Sequence, residues 1–380
     1  MERKRKIALV GGGTAGHITP NIALISELKN RKYDVIYIGS STGMEKDIME
    51  RLNIPFFGIT TDKLRRYFDL KNLMMPFNVL KGINEAKNIL KEEKPDIIFS
   101  KGGYVAVPVV IAAGNLKIPV ISHEADITPG LANKIAMPFS KVICCNFEEA
   151  ANSFGKKGIE TGSPIRKEIL TGDKNKAKEF LKFKEEKPII FVTGGSLGSV
   201  YINNLIRKNI DKLLVDYNII HQCGKGKLDE SLGGIRIQKS CNSDKEEKNC
   251  TEPSYTNEEK GYRQFETISE ELADIFAVSD FVISRAGANI IFELLALKKP
   301  MLLIPLSKKA SRGDQILNAR SFEKKGYAIV LTEEEEDKTP SLFFEKIETL
   351  KDNSKQMIQK MSEAKESNAI EKICDIIDKY

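Results

Sequence analysis

Twice in this chain an apolar run passes into a glycine-rich turn and then into a helical pattern: first at Val10-Gly11-Gly12-Gly13-Thr14-Ala15-Gly16-His17, and again at Thr193-Gly194-Gly195-Ser196-Leu197-Gly198-Ser199. Such a turn lets a parallel strand hand over to a helix with little room between them, so it ties each half to a βα unit. Short Val- and Ile-rich runs read as strands at residues 7–10, 35–38, 97–99, 120–122 and 142–144, with helices expected at 20–29, 43–52, 77–90 and 131–136. The alternation restarts after Gly162-Ser163-Pro164. It predicts strands at 189–193, 219–222, 281–284, 301–304 and 328–331, and helices at 200–214, 288–297, 315–324 and 357–380. Strand–helix alternation of this kind specifies parallel sheets covered on both faces. The repeated opening implies two similar α/β domains, and 380 residues suit two better than one.

With 41% hydrophobic and 29% charged residues, the chain has apolar material for real cores and is no disordered segment. The apolar run at residues 7–10 is too short for a signal peptide. The longest other one, 105–113, is broken by Pro108 and falls well short of the ~20 residues that cross a bilayer, so no spanning segment is expected. None of the six cysteines forms a Cys-x-x-Cys pair, and Cys144 and Cys145 sit in a strand pattern as small hydrophobes, which fits a reducing cytoplasm. A net charge of +6 permits attraction to anionic lipid or nucleotides, and the absence of Trp and of aromatic-basic motifs argues against nucleic acid. Residues 234–261 carry no hydrophobic period and read as a polar surface insertion. Its two cysteines lack zinc-site spacing.

Gly11-x-Gly13-x-x-Gly16 followed by Asp34 fits a dinucleotide fingerprint, but a second glycine loop in the other half is foreign to a nicotinamide enzyme. Gly194–Ser199 presents backbone N–H groups at a helix start, which suits phosphate, and a purely structural turn is the competing reading. Ser284-Arg285-Ala286-Gly287-Ala288-Asn289 adds a further small-residue turn at a helix start. Glu293, about one and a half turns on, can accept ribose hydroxyls or simply face solvent. Of the three histidines, His17 and His123 are expected at the C-terminal ends of strands, where ligand sites of open α/β sheets gather.

Gly12-Gly13-Thr14-Ala15-Gly16-His17-Ile18-Thr19-Pro20, Lys101-Gly102-Gly103-Tyr104, His123-Glu124, Gly162-Ser163-Pro164-Ile165-Arg166, Gly194-Gly195-Ser196-Leu197-Gly198, His221-Gln222-Cys223-Gly224-Lys225-Gly226 and Gln315-x-x-Asn318-Ala319 occur in this order across nearly the whole chain. The ordered set closely resembles the MurG family of peptidoglycan N-acetylglucosaminyltransferases. The resemblance implies a GT-B fold, with two Rossmann-like doubly wound α/β domains facing a central cleft. Residues 1–163 would be the acceptor and membrane domain and 164–380 the UDP-GlcNAc domain, with a closing helix able to pack back on the first. It implies transfer of GlcNAc from UDP-GlcNAc to O4 of the muramyl sugar of undecaprenyl-pyrophosphoryl-MurNAc-pentapeptide (lipid I to lipid II), in cell-wall biogenesis and hence cell shape and division. Carried over by motif, Arg166 and Ser196 are expected around UDP, Glu293 on the ribose and Gln315 on the GlcNAc hydroxyls. Ala288 and Asn289 would offer N–H groups to the diphosphate, with Thr14, Ala15 and Gly16 facing it from the other domain. The chain departs from the common pattern at Ala15, usually glycine, at Asp126, usually asparagine, and in the length of 234–261. No ligand role is carried over to Asp126.

The expected chemistry is a direct displacement with inversion. His17 is the favoured general base, because imidazole titrates near neutrality, and Glu124 is the alternative. No Asp-x-Asp motif is present, so helix N-termini and Arg166 are expected to replace a metal on the departing diphosphate, and no cofactor or metal is expected. A UDP-GlcNAc 2-epimerase with the same architecture, or a non-catalytic descendant, are the rival classes. Expected partners are UDP-GlcNAc, lipid I, an anionic membrane surface and other cell-wall synthesis proteins. Peripheral attachment at the cytoplasmic face is expected through residues 64–68 and 73–80, whose large apolar side chains lie among Lys63, Arg65, Arg66, Lys71 and Lys81. A core-packing helix is the competing reading.

Overall fold

The computed structural model describes residues 4–61, 71–232, 261–308, 311–364 and 368–380. The polar stretch at 234–260 and residues 62–70 lie outside the described part, and of Ala15, Glu230 and residues 71–76 only the backbone is described. The chain divides into two compact units: Met1–Arg166 together with Lys365–Tyr380, and Lys167–Ala364.

The first unit runs β1 (Lys6–Val10), α1 (Ala15–Asn30), β2 (Asp34–Ser40), α2 (Glu45–Arg51), β3 (Phe56–Ile59), α3 (Lys71–Glu93), β4 (Ile97–Ser100), α4 (Ala106–Asn115), β5 (Val120–Glu124), α5 (Leu131–Ala136), β6 (Val142–Cys145), α6 (Glu148–Ser153) and β7 (Gly158–Glu160). The second runs α7 (Lys174–Leu181), β8 (Ile189–Thr193), α8 (Val200–Lys208), α9 (Ile210–Asp216), β9 (Asn218–Gln222), β10 (Tyr262–Phe265), α10 (Leu272–Val278), β11 (Phe281–Ser284), α11 (Ala288–Ala296), β12 (Met301–Leu303), α12 (Asp314–Lys325), β13 (Ala328–Val330), α13 (Glu333–Lys338) and α14 (Leu342–Ser362). A last helix, α15 (Ala369–Asp378), belongs to the first unit.

Both sheets are parallel. Their orders are β3-β2-β1-β4-β5-β6-β7 and β10-β9-β8-β11-β12-β13, so the winding reverses between β1 and β4 and between β8 and β11. The alternation of side chains along β1 shows how one apolar run serves two layers. Ile7 and Leu9 join a cluster with α1 and α15, whereas Ala8 and Val10 join one with α3 and α4. Ile373, Ile376 and Ile377 of α15 complete the first of these clusters. At the helix edge Arg31 reaches Asp375 at 2.7 Å and Asp378 at 2.6 Å, and the Tyr33 hydroxyl donates to Asp378 at 2.8 Å. These polar contacts are largely solvent-facing and orient the helix more than they hold it. The buried isoleucines supply the stabilisation, about 1.5–3 kcal/mol each.

Several expected elements change. The helix expected from Pro20 begins at Ala15, because Thr14 already takes the extended conformation of an N-cap (φ −150°, ψ 152°) and the His17 N–H donates to its carbonyl at 3.0 Å. Pro20 then lies inside the helix, where it removes the hydrogen bond to the Gly16 carbonyl and crowds that carbonyl with its ring. The expected helix 200–214 breaks at Asn209, whose side chain donates to the Leu205 carbonyl at 2.8 Å. The expected closing helix 357–380 is two helices in different units. Strand β10 was not expected, since Tyr-Arg-Gln-Phe carries no apolar run, yet all four residues are buried.

Candidate active site

In the first unit the glycine turn after β1 and the Lys101–Tyr104 turn after β4 open at the reversal of strand order, the place where such sheets leave a crevice. A fully buried carboxylate holds the first turn from below: Glu45 accepts from the Ser40 N–H at 2.8 Å and from the Gly13 N–H at 3.4 Å. Gly12 lies so close over Glu45 that any Cβ would strike the carboxylate, which is why the turn needs glycine there. His17 therefore stands in the first turn of α1, not at the strand end that the sequence suggested. Its ring lies against Gly103, and its buried Nδ1 has no partner among the described residues. Burial, reinforced by the buried ammonium of Lys101, lowers the imidazole to about 4, where the sequence argument expected titration near neutrality. Burial likewise lowers Lys101 itself to about 8, against the opposing pull of Glu124 and Asp126.

Glu124 ends β5 and is buried, and its proton affinity is raised by that burial. Its Oε1 accepts from the N–H groups of Ala125 (3.0 Å) and Asp126 (3.2 Å), and its Oε2 from the Gly130 N–H (2.8 Å) and the Asn133 amide (2.9 Å). Four donors on two oxygens make it the organiser of the loop to α5. His123, the second-last residue of β5, stands at the strand's C-terminal end as expected and is wholly buried there. Neither of its ring nitrogens finds a partner among the described residues. Arg166, at the end of the unit, likewise has a buried Nε without a partner among them.

The second unit repeats the plan with different supports. After β8 the Gly195 N–H donates to Thr193 Oγ1 at 3.1 Å, and Ser199 caps α8 by accepting from the Ile202 N–H at 3.3 Å, which leaves Ser196 exposed on the turn. Lys227 clasps the turn, donating to the Leu197 carbonyl at 2.8 Å. Gly198, at φ +67°, packs onto the Cys223 carbonyl so closely that a side chain has no room. Beneath α8, His221 bridges Tyr262 (2.9 Å) and Asn203 Oδ1 (3.0 Å). Since the Asn203 amide donates to the Cys223 carbonyl, Oδ1 accepts, so Nε2 of His221 carries the hydrogen and Nδ1 takes the Tyr262 hydroxyl's. Burial holds this imidazole down to about 3, a neutral structural member.

Ala288 and Asn289 form the first turn of α11, after the extended N-cap Gly287, with Glu293 further along the helix. Gln315, in the first turn of α12, accepts from the Leu306 N–H at 3.0 Å through Oε1, which fixes the amide and turns its NH2 away from that contact. Asn318 ties α12 to the same region by donating to the Ala286 carbonyl at 3.2 Å. Thus Ser196, Ala288, Asn289, Glu293 and Gln315 all stand on elements at the C-terminal edge of one sheet, whereas Thr14, Ala15, Gly16, His17 and Glu124 stand at that edge of the other. Sequence reasoning missed Glu45, Lys101 as a charge, Lys227 and Arg285. Lys101 and Arg285 carried a signal, each as the one charge in its glycine-containing turn.

The glycosyltransferase family 28 N-terminal domain model matches residues 7–144, and the family 28 C-terminal domain model matches residues 189–378. A Clostridium botulinum protein named UDP-N-acetylglucosamine--N-acetylmuramyl-(pentapeptide) pyrophosphoryl-undecaprenol N-acetylglucosamine transferase is 53% identical over 378 residues, 99% of each chain. A Clostridium tetani protein of the same name is 52% identical over 378 residues, 99% of this chain and 98% of its own. The crystal structure of MurG from Acinetobacter baumannii aligns with a TM-score of 0.71 at 25% identity, covering 99% of this chain and all of that one.

Proposed function

The chain belongs to glycosyltransferase family 28, and on that premise we propose that its second unit takes the UDP-GlcNAc donor and its first unit the lipid-linked acceptor. It is an N-acetylglucosamine transferase that acts from UDP-N-acetylglucosamine on N-acetylmuramyl-(pentapeptide) pyrophosphoryl-undecaprenol, a step in building peptidoglycan. The observation that carries the division of labour is the fixed amide of Gln315 beside the helix starts at Ser199 and Ala288. Two sets of N–H groups suit a diphosphate, and an oriented NH2 suits sugar hydroxyls.

In this reading Ser196, Ala288, Asn289 and Arg166 hold the diphosphate, Glu293 accepts from the ribose and Gln315 from or to the GlcNAc hydroxyls. Thr14, Ala15 and Gly16 line the acceptor unit's half. The acceptor hydroxyl displaces UDP with inversion, losing its proton to His17. The four donors that already fill Glu124 support His17 over Glu124 as base, because a carboxylate so occupied has no lone pair aimed outward. Arg166 and the two helix starts supply the charge a divalent metal would otherwise bring. Transfer to a short-chain lipid I analogue, run in EDTA, tests this: undiminished turnover is expected, and a requirement for added metal would refute it. In the same assay Glu293→Ala is expected to weaken UDP itself, whereas Gln315→Ala leaves UDP binding intact and weakens UDP-GlcNAc about 10–100-fold. Equal losses for both ligands in the Gln315 variant would sink that assignment.

Attachment is peripheral and, in this proposal, at the cytoplasmic face, beside an anionic surface and other cell-wall synthesis proteins. No helix of the described residues is long and apolar enough to cross a membrane. Within α3, Ile83, Ala86 and Leu90 pack on the core while Phe77 and Leu80 are 67% and 64% exposed, so this helix offers apolar side chains outward as well as inward. Leu73 and Met75 have side chains outside the described residues. Changing Phe77 and Leu80 together to Ser is expected to cut sedimentation with anionic vesicles at least about 10-fold. Glycosylation of a soluble acceptor should be unaffected. Unchanged vesicle binding would place the attachment surface elsewhere.

A further inference from the structure

Arg285 follows β11 and precedes Gly287, the N-cap of α11. Its buried guanidinium gathers three separate parts of the second unit. Nη1 donates to the carbonyls of Ile304 (3.0 Å) and Pro305 (3.2 Å) just past β12, and lies 2.6 Å from a carboxylate oxygen of Glu333 in α13. Nη2 donates at 2.7 Å to Ser199 Oγ, the same oxygen that caps α8. The Tyr201 ring lies 5.9 Å from the guanidinium carbon, and its hydroxyl meets the Glu333 carbonyl (3.1 Å), Glu336 (2.8 Å) and Asp337 (3.0 Å). Arg285 and Glu333 keep only 10% and 13% of their side-chain surface, so each charge is matched inside the protein. A guanidinium so committed is poorly placed to serve as a phosphate's counter-ion. What it does control is geometry, since Ser199 starts one helix and the backbone of Arg285 leads into the other.

We propose that Arg285 is a positioning residue of the transfer reaction: by bridging Ser199, the 304–305 carbonyls and Glu333, it fixes the first turn of α8 relative to the entry of α11. Both sets of N–H groups then stay aimed at one diphosphate. The proposal rests on the reading that these two helix starts receive the donor's diphosphate. Displacing one of them by about 1 Å is enough to cost on the order of 100-fold.

Titration calorimetry and transfer kinetics on two variants test it, Arg285→Met and the pair Arg285→Met with Glu333→Gln, the latter avoiding a lone buried carboxylate. For both, affinity for UDP and UDP-GlcNAc should fall about 10–100-fold, while affinity for uridine, which lacks the diphosphate, should not change. Ser199→Ala should weaken UDP on its own but add nothing in the Arg285→Met background. Unchanged UDP affinity in the paired variant overturns the proposal. A parallel fall for uridine and UDP makes Arg285 merely structural, and multiplying losses with Ser199→Ala show that it does not act through the cap. In the unaltered protein, UDP should slow amide exchange at residues 196–199 and 287–290. If it does not, the diphosphate reading itself fails, whatever the variants do.

Discussion

Replacing Glu124 by alanine is expected to destabilise the first unit by about 3–5 kcal/mol, because it strands four buried or half-buried donors at once, each worth roughly 1–3 kcal/mol before relaxation. In a unit of this size that is a fall in Tm of roughly 6–20 °C by calorimetry. Transfer should drop at least about 100-fold, since the loop that loses its anchor belongs to the unit proposed to take the acceptor. Glu124→Gln separates this from a proton-transfer role. The glutamine puts an NH2 where an acceptor is needed, so Tm should fall with it too. A Glu124→Gln protein with normal Tm and a kcat down a thousandfold would make Glu124 the base and end its assignment as organiser.

The second large effect concerns His17. His17→Ala should lower kcat by about 10²–10⁴-fold. The pH profile is the sharper test. An imidazole lowered to about 4 is neutral, and able to accept a proton, at every pH above that value, and loses this capacity only as pH falls through it. Turnover in the unaltered enzyme should therefore stay level from pH 6 to 8 and decline only toward pH 4. Lys101→Met removes the nearby positive charge, leaves burial in place, and should move the acid limb part of the way back toward 6.5. An acid limb already near 6.5 in the unaltered enzyme would mean that some other group titrates, and His17→Gln with near-normal turnover would reduce His17 to an orienting role.

The sheets were legible in the sequence where strands are apolar on both faces, as in Lys6–Val10 and Ile189–Thr193, since burial on two sides leaves a continuous hydrophobic run. Strand β10 was hidden for the opposite reason. Buried Arg263 has its donors satisfied by carbonyls, donating to those of Leu181 (2.9 Å) and Lys182 (3.2 Å), and Gln264 accepts from Arg207 at 2.8 Å, partners that no local pattern reveals. The glycine turns and Gln315 could be placed from motif order, but the supports beneath them could not. Glu45 reads as a solvent-facing helix residue until Gly12 and Gly13 fold over it, and Arg285 reads as one more charge until Ser199 and Glu333 converge on it from residues 86 positions before and 48 positions after. His17 was misplaced by Pro20, a residue that normally marks a first turn and here sits in the second.

The return of α15 to the first unit sets an order of events during synthesis. The apolar face that Ile373, Ile376 and Ile377 cover beside α1 is made by residues from β1 to β6, yet it stays uncovered while the whole of Lys167–Ala364 is translated. At about 5–20 residues per second this lasts on the order of 10–40 s. For that time the nascent first unit exposes an apolar stripe of the kind chaperones bind, and the second unit, contiguous in sequence, can finish folding before the first does. Loss of α15 through a late translational error would thus leave the second unit able to fold and the first with an uncovered apolar face, an effect felt at the opposite end of the polypeptide.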